Sequence, residues 1–247
     1  MKARELIKRM LERAHLEGLA REVNKSLHYL SWSFKRGFGR VDHSLVDGYL
    51  RRQHVRKLHI GCGSNILNGW LNSDLRPHTR DVLHLDATKR FPFDDELFDY
   101  IFSEHMIEHV SYAEGLFMLG ECYRILKKNG RIRLSTPNLS FLIDLYTPRK
   151  TELQKQYIDW ATSTFVTSAP YGDDAFVINN FVRHWGHQFI YDEKTLRHAM
   201  EKARFSEIDK LNLTESADPT LRNLENEGRI PCGFLRLETL TLEATKR

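Results

Sequence analysis

A short apolar strand that runs directly into Gly-x-Gly constrains this chain more than any other feature. Residues 57–60 read as a buried strand, and Gly61-Cys62-Gly63 follows it without a break. Glycines at a strand's carboxyl end leave no side chain between the main-chain amides and a bound molecule, so a ligand can approach the backbone closely. Further short strands are predicted at 70–73, 82–85, 100–102 and 131–134, separated by turns or helical stretches. Strands alternating with helices predict an α/β chain with a doubly wound, mostly parallel sheet. Residues 206–213 and 234–243 read as strands that close the chain, giving seven in all, although the apolar alternation Leu235, Leu237, Leu240, Leu242 slips at Thr239.

The clearest helix is 112–127, where Tyr112, Leu116, Leu119, Tyr123 and Leu126 recur at spacings of four and three. Ser111 with Glu114 forms a capping-box pattern at its start, and Asn129-Gly130 stops it. A second helix starts at Asp192 and turns Leu196, Ala199, Met200 and Ala203 inward. Between them, 141–188 reads as an irregular, aromatic and polar insertion of the kind that covers a site.

Charge divides the chain. Residues 1–57 carry 14 Lys+Arg against 6 Asp+Glu, while 58–247 carry 23 against 27. Residues 1–56 are therefore read as a basic helical appendage and 57–247 as the main domain. Leu6, Ile7, Met10, Leu11, Ala14, Leu19 and Val23 fall at roughly helical spacing, with basic residues between them. Such a helix packs on the main domain or on a second copy in a homodimer, or it touches an anionic membrane surface. Trp32, Phe34 and Phe38 interleave with Lys35, Arg36 and Arg40 in a pattern that could stack on bases, but an overall charge of +4 is too small to make nucleic acid the expected partner. Three well-separated cysteines, no long apolar run and no leader-like start predict a cytoplasmic protein.

Ligands of open α/β sheets bind outside the carboxyl ends of the strands. Asp74 and Asp86 stand at those ends of the second and third strands. An ionised Asp accepts hydrogen bonds from the two hydroxyls of a ribose, and a second can accept from an adenine amino group, so the pair describes a nucleoside pocket; the plainer alternative is two turn acids. Asp81 lies at the sequence distance usual for a dinucleotide's ribose acid, but it precedes its strand and so sits at the wrong edge. Choosing Asp74 implies that the helix between the first two strands is reduced to a turn or two near residues 65–69.

His59-Ile-Gly-Cys-Gly-Ser-Asn65, Gly69-Trp-Leu-Asn-Ser-Asp74, Phe91-Pro-Phe-Asp-Asp-Glu-Leu-Phe-Asp99, Glu104-His-Met-Ile-Glu-His109 and Glu121-Cys-Tyr-Arg-Ile-Leu-Lys-Lys-Asn-Gly130 together resemble the class I S-adenosylmethionine-dependent methyltransferases, and within them the type-11-like branch. The resemblance implies a Rossmann-like fold with an antiparallel last strand and S-adenosylmethionine as cofactor. It places the donor over Gly61, Cys62 and Gly63, the ribose on Asp74 beside Leu75, and the adenine near Asp86 and Ala87. Ser103, Glu104 and the residues up to Met106 would face the methyl group. The chain departs from the fuller glycine motif by continuing as Ser64-Asn65.

Methylating a hydroxyl requires removal of its proton, and a neutral imidazole suits that task. His105, next to the fourth strand, is the expected base, with His109 and His187 as further candidates; His184 and Tyr191 join His187 in a polar cluster of the presumed cover. The expected acceptor is a sugar or glycolipid of cell-surface polysaccharide synthesis, since the tail Asp218-Pro-Thr-Leu-Arg-Asn-Leu-Glu225 resembles that of relatives in such pathways. Another small molecule is the alternative acceptor, and a donor-binding partner or sensor without chemistry is the alternative role. A nicotinamide dehydrogenase is disfavoured because Ile66 stands where its third glycine belongs. His105-x-x-Glu108-His109 also fits one zinc-peptidase pattern, but the sequence identifies no third ligand, so no metal is expected.

Overall fold

The computed structural model describes residues 40–247. The amphipathic stretch expected over residues 6–23, and Trp32, Phe34 and Phe38, lie outside them. The described residues fall in two units, the first ending at Arg51 and the second running from Arg52 to Arg247. Arg40–Arg52 forms a helix, α1, which spans the end of the first unit and whose first turn holds Asp42, where a negative charge suits the helix dipole.

The second unit is built on β1 (Lys57–Ile60), β2 (Leu71–Asp74), β3 (Leu83–His84), β4 (Phe98–Glu104), β5 (Leu126–Pro137), β6 (Ser206–Leu211) and β7 (Thr239–Thr245). They form one sheet in the order β3-β2-β1-β4-β5-β7-β6. β1 to β5 run parallel, and β7 is antiparallel to both β5 and β6. Strand order reverses between β1 and β4, which opens a crevice at their carboxyl ends. Leu58, Ile60, Ile101 and Phe102 are buried there, because a parallel sheet is covered on both faces.

The helix expected at 112–127 is α2 (Tyr112–Ile125), with its capping box formed: Ser111 Oγ accepts from Glu114 N while Glu114 accepts from Ser111 N. Its buried stripe differs from the expected one. Gly115, Met118, Leu119, Cys122 and Ile125 face the sheet, and Tyr112 and Tyr123 lie at the margins, packing on Phe189 and Phe205. Gly115 decides the rotation: a Cβ there would overlap the Tyr191 hydroxyl, so only a bare position can sit at the closest approach.

The insertion is not irregular. Three helices cross it: α3 (Leu139–Leu145), α4 (Glu152–Phe165) and α5 (Asp174–Arg183). Phe141, Leu145, Tyr157, Ile158, Val177 and Phe181 give them a small apolar core of their own. The start signals were present in Thr151, which forms a capping box with Gln154, and in Asp173, which caps α5. The helix expected from Asp192 is α6 (Glu193–Lys202), capped by that residue. The slip at Thr239 is a boundary between elements. Phe234–Glu238 is a short helix, α7, and β7 begins at Thr239, so the leucines before and after it belong to different periodicities.

Between β1 and β2 the chain makes only turns, so the expected reduced helix is absent altogether. The stretch at residues 218–225 fills in for it. Leu221 and Leu224 pack with Trp70 and Phe102, covering the sheet face that a crossover helix would otherwise cover. Polar bonds fix this strap. Tyr100 Oη donates to Asp218 at 2.9 Å, and Arg133 donates to Glu225 and to Glu243, each at 2.6 Å. Arg133 and both its carboxylate partners are buried, so their charges must be compensated locally, and Arg131 adds a second cation 3.2 Å from Glu243.

Candidate active site

Gly61 and Gly63 both have positive φ, at +70° and +50°, and so turn the chain sharply off β1. They serve different neighbours. A Cβ at Gly61 would overlap the Met106 side chain, whereas one at Gly63 would meet no heavy atom within 4 Å. The loop is therefore packed from beneath by the segment after β4 and bare on its other side. Cys62 between them is buried, its N–H donates to Ser73 O at 2.9 Å, and burial together with the nearby Asp74 charge pushes its thiol up to about 12.

Asp74 ends β2, as expected. Its Oδ2 accepts from Gly63 N at 2.9 Å and its Oδ1 from Arg76 N at 2.7 Å. Each oxygen keeps a second lone pair, enough for one hydroxyl apiece. Leu75 beside it is exposed, an apolar surface at the edge of the crevice. Asp86 follows β3, with Oδ1 accepting from the Thr88 amide and hydroxyl and Oδ2 facing Lys89 Nζ at 2.9 Å. Burial would raise its pKa, but these bonds outweigh burial and hold it lowered. Ala87 is buried. Ser103 and Glu104 close β4 at the same edge, both buried. Glu104 accepts from Asn65 Nδ2 at 3.2 Å and from Asn226 N at 3.3 Å, so it links the glycine loop to the end of the strap. Burial raises its pKa.

The glycine loop, its bare side and the two carboxylates thus stand where a nucleoside with a ribose diol would lie, and the residues present fit S-adenosylmethionine.

The three candidate bases converge. His105, His109 and His187 line one cleft of about 250 Å³, with Glu108, Glu238, Tyr157, Arg229 and the rings of Trp160, Phe165, Phe181 and Trp185. His105 sits in the left-handed region at φ +47°, which ends β4 abruptly before the short 3-10 turn Ile107–His109. Its Nε2 lies 2.9 Å from Thr239 Oγ1, and its Nδ1 lies 3.6 Å from Glu108 Oε1. Burial chiefly, with the nearby Arg229 charge adding to it, holds its pKa well below the ordinary value. His109 and His187 are lowered for the same first reason, burial.

Glu108 is fully buried, and burial pushes its pKa up to about 8. Its Oε2 accepts from Thr136 Oγ1 at 3.1 Å, while its Oε1 has no hydrogen-bond partner. Glu238, bonded to the Tyr157 hydroxyl, is pushed up to about 7, again by burial.

Glu104 and Glu108 point apart: the first faces Asn65 and Asn226, the second Thr136, because the backbone reverses at His105. That reversal also removes the one-turn helical spacing that the peptidase pattern requires of His105 and His109. Tyr191 is a core residue bridged to Asn138, and His184 is exposed at the end of α5, so of the expected second cluster only His187 reaches the cleft. Sequence reasoning missed Tyr157, Arg229 and Glu238. Tyr157 sat in a stretch read as irregular, Arg229 lies just past the 218–225 tail, and Glu238 falls in a segment read as strand. It also missed His59, whose buried ring braces Asn72, which in turn holds the Leu67 amide and carbonyl of the loop before β2.

Residues 58–134 match the methyltransferase-domain family. No curated protein matches the chain. Among solved structures, it is similar to an S-adenosylmethionine-dependent methyltransferase from Archaeoglobus fulgidus at 18% identity, covering 88% of this chain and 99% of that one, with a TM-score of 0.45. A second, from Thermotoga maritima, also at 18% identity, covers 92% and 97% with a TM-score of 0.44. A third, from Haloferax volcanii at 15% identity, covers 85% and 92% with a TM-score of 0.44, and is a complex between a methyltransferase and the Trm112 methyltransferase activator.

Proposed function

We propose that the chain is a class I S-adenosylmethionine-dependent methyltransferase, a reading supported by the match over residues 58–134, and that its cleft takes a hydroxyl of a sugar or glycolipid and methylates the oxygen. The observation that carries this reading is the mixed lining of the cleft, where carboxyl, imidazole, phenol and guanidinium groups stand among four aromatic rings. A sugar ring presents hydroxyls around its rim and C–H bonds on its faces, so polar groups can bond the rim while aromatic rings pack the faces. The size agrees: about 250 Å³ lies just under the roughly 300 Å³ at which pockets for drug-sized ligands begin, so the reacting part of the acceptor is one small ring. The Arg229 charge disfavours a cationic amine as acceptor.

In the reaction the acceptor oxygen bonds the methyl carbon as the carbon–sulfur bond breaks, its electron pair staying on sulfur, and the hydroxyl proton goes to a base of the protein. The chain's own residues supply orientation and exclude water. The Gly61–Gly63 main chain and Asp74 hold the nucleoside, with Asp86, Ala87 and Leu75 at the adenine end. His105 is the assigned base. With Nε2–H donating to Thr239, its Nδ1 keeps the lone pair that takes the proton. The helices α4 and α5 wall the acceptor side.

Incubation with methyl-labelled donor and a panel of nucleotide sugars, lipid-linked sugars, phenols and amines tests this reading. Label recovered on a sugar oxygen supports it. Label on an amine or a phenol overturns the acceptor assignment, and tight donor binding with no turnover on any member of the panel favours a donor-binding partner or sensor.

A further inference from the structure

Glu108, His109 and His187 bring a carboxylate oxygen and two ring nitrogens within 4.8 Å of one another. We propose that they form a site for one divalent first-row metal ion, of the zinc, manganese, iron or cobalt class, which holds the acceptor oxygen. Two imidazoles with one carboxylate leave coordination positions open, as sites that bind a substrate oxygen do.

Four observations point to a ligand. First, Glu108 Oε1 is buried and unpartnered; the histidine nitrogens facing it, His105 Nδ1 at 3.6 Å and His109 Nε2 at 3.9 Å, are beyond hydrogen-bond reach. Second, His187 Nδ1 lies 2.7 Å from Phe181 O, so that nitrogen carries the hydrogen and Nε2 carries the free lone pair. A main-chain carbonyl behind a histidine is the usual second bond of a metal ligand, because it sets the tautomer and aims the ring. Third, the main chain fixes the loop bearing His187 over the Glu108 turn. Gln188 N and Phe189 N donate to Glu108 O at 2.7 and 3.2 Å, and Gln188 Nε2 donates to His109 O at 2.8 Å. Fourth, the His109 and His187 rings stand 5.0 Å apart at 63°, so their planes cross instead of stacking and their nitrogens can face one point. Ligand bonds of about 2.1 Å require these atoms to close by roughly 1 Å, a rotation that the partly exposed His109 ring allows.

All three residues line the acceptor cleft, so an open position on the ion faces the acceptor. An oxygen bound there loses its proton more readily, which is the help a hydroxyl needs before methyl transfer. That role rests on the proposed acceptor; binding of the ion does not.

The full chain, stripped with chelator and dialysed, is titrated with cobalt(II), following visible absorption for coordination and calorimetry for stoichiometry. One ion per chain is expected, with a d–d spectrum that changes when zinc displaces the cobalt. His187→Ala and Glu108→Gln should each lower the affinity at least tenfold, while titration with S-adenosylhomocysteine shows that both variants remain folded. No spectral change in the wild-type chain overturns the site, and so does unaltered cobalt binding in both variants. Cobalt bound here without methylation of any sugar oxygen refutes the acceptor reading and leaves the site standing. Sugar methylation by a chain that binds no cobalt does the reverse.

Discussion

His59 offers the sharpest test of how the donor edge is held. Its ring is fully buried in β1, with Nδ1 3.2 Å from Asn72 Oδ1 and its centroid 4.9 Å from that of Phe102. Burial lowers its pKa from 6.5 to about 4, and the Asn72 bond and the Asp74 charge offset this only in part. The unfolded chain therefore binds a proton that the folded chain refuses between pH 6.5 and about 4. Stability from this group is complete above the upper value and falls as the pH drops through that window. At about 1.4 kcal/mol per tenfold change in affinity, the whole loss is about 3 kcal/mol. About 2 kcal/mol of it has gone by pH 5. His59→Leu keeps a side chain of similar size and removes the titration, and Asn72 still accepts from Leu67 N at 3.0 Å. Urea unfolding of both proteins at pH 7.5 and pH 5 isolates the effect, since the other titrating groups are common to the two. The variant should gain about 2 kcal/mol on the wild type between those conditions. A difference constant to within about 0.5 kcal/mol would refute the reasoning, because it would mean that the folded protein accepts the proton freely.

Asp74→Ala removes a charged acceptor of hydrogen bonds worth about 1.5–3 kcal/mol each, so S-adenosylhomocysteine should bind at least tenfold more weakly by calorimetry; unchanged affinity would move the ribose elsewhere. Gly61→Ala and Gly63→Ala should separate packing from binding. The first drives a methyl group into Met106 and lowers the melting temperature most, while the second costs about 1 kcal/mol of left-handed strain and mainly weakens donor binding. Leu221→Ala opens a cavity beneath the strap and should cost about 2–5 kcal/mol in urea unfolding. Arg133→Met leaves Glu225 buried without its cation and Glu243 with Arg131 alone, a loss of about 3–5 kcal/mol, and a change below about 1 kcal/mol would show that the trio does not fasten the strap.

The residues of the proposed donor half were legible in the sequence because each of their signals is local. Gly61 and Gly63 mark a turn that only glycine enters cheaply, Asp74 and Asp86 lie one residue beyond short apolar strands, and Ser111 with Glu114 starts a helix by bonds three residues apart. Such features depend on neighbours in the chain, so composition and spacing reveal them. Even the misplaced strand at 234–243 carried its own warning in the slip at Thr239.

Long-range packing alone decided the rest. The buried face of α2 follows from where Tyr191 lies, which no periodicity within the helix encodes. Leu221 and Leu224 stand in for a missing helix because they reach Trp70 and Phe102 from more than a hundred residues away. The proposed acceptor cleft gathers His105, Tyr157, His187, Arg229 and Glu238 from five separate stretches. The sequence by itself determined a doubly wound sheet with glycines and carboxylates along one edge, since backbone conformation and burial pattern are properties of short segments. Only the tertiary structure decided what faces that edge, because a cleft is made of side chains whose proximity depends on how the whole core closes.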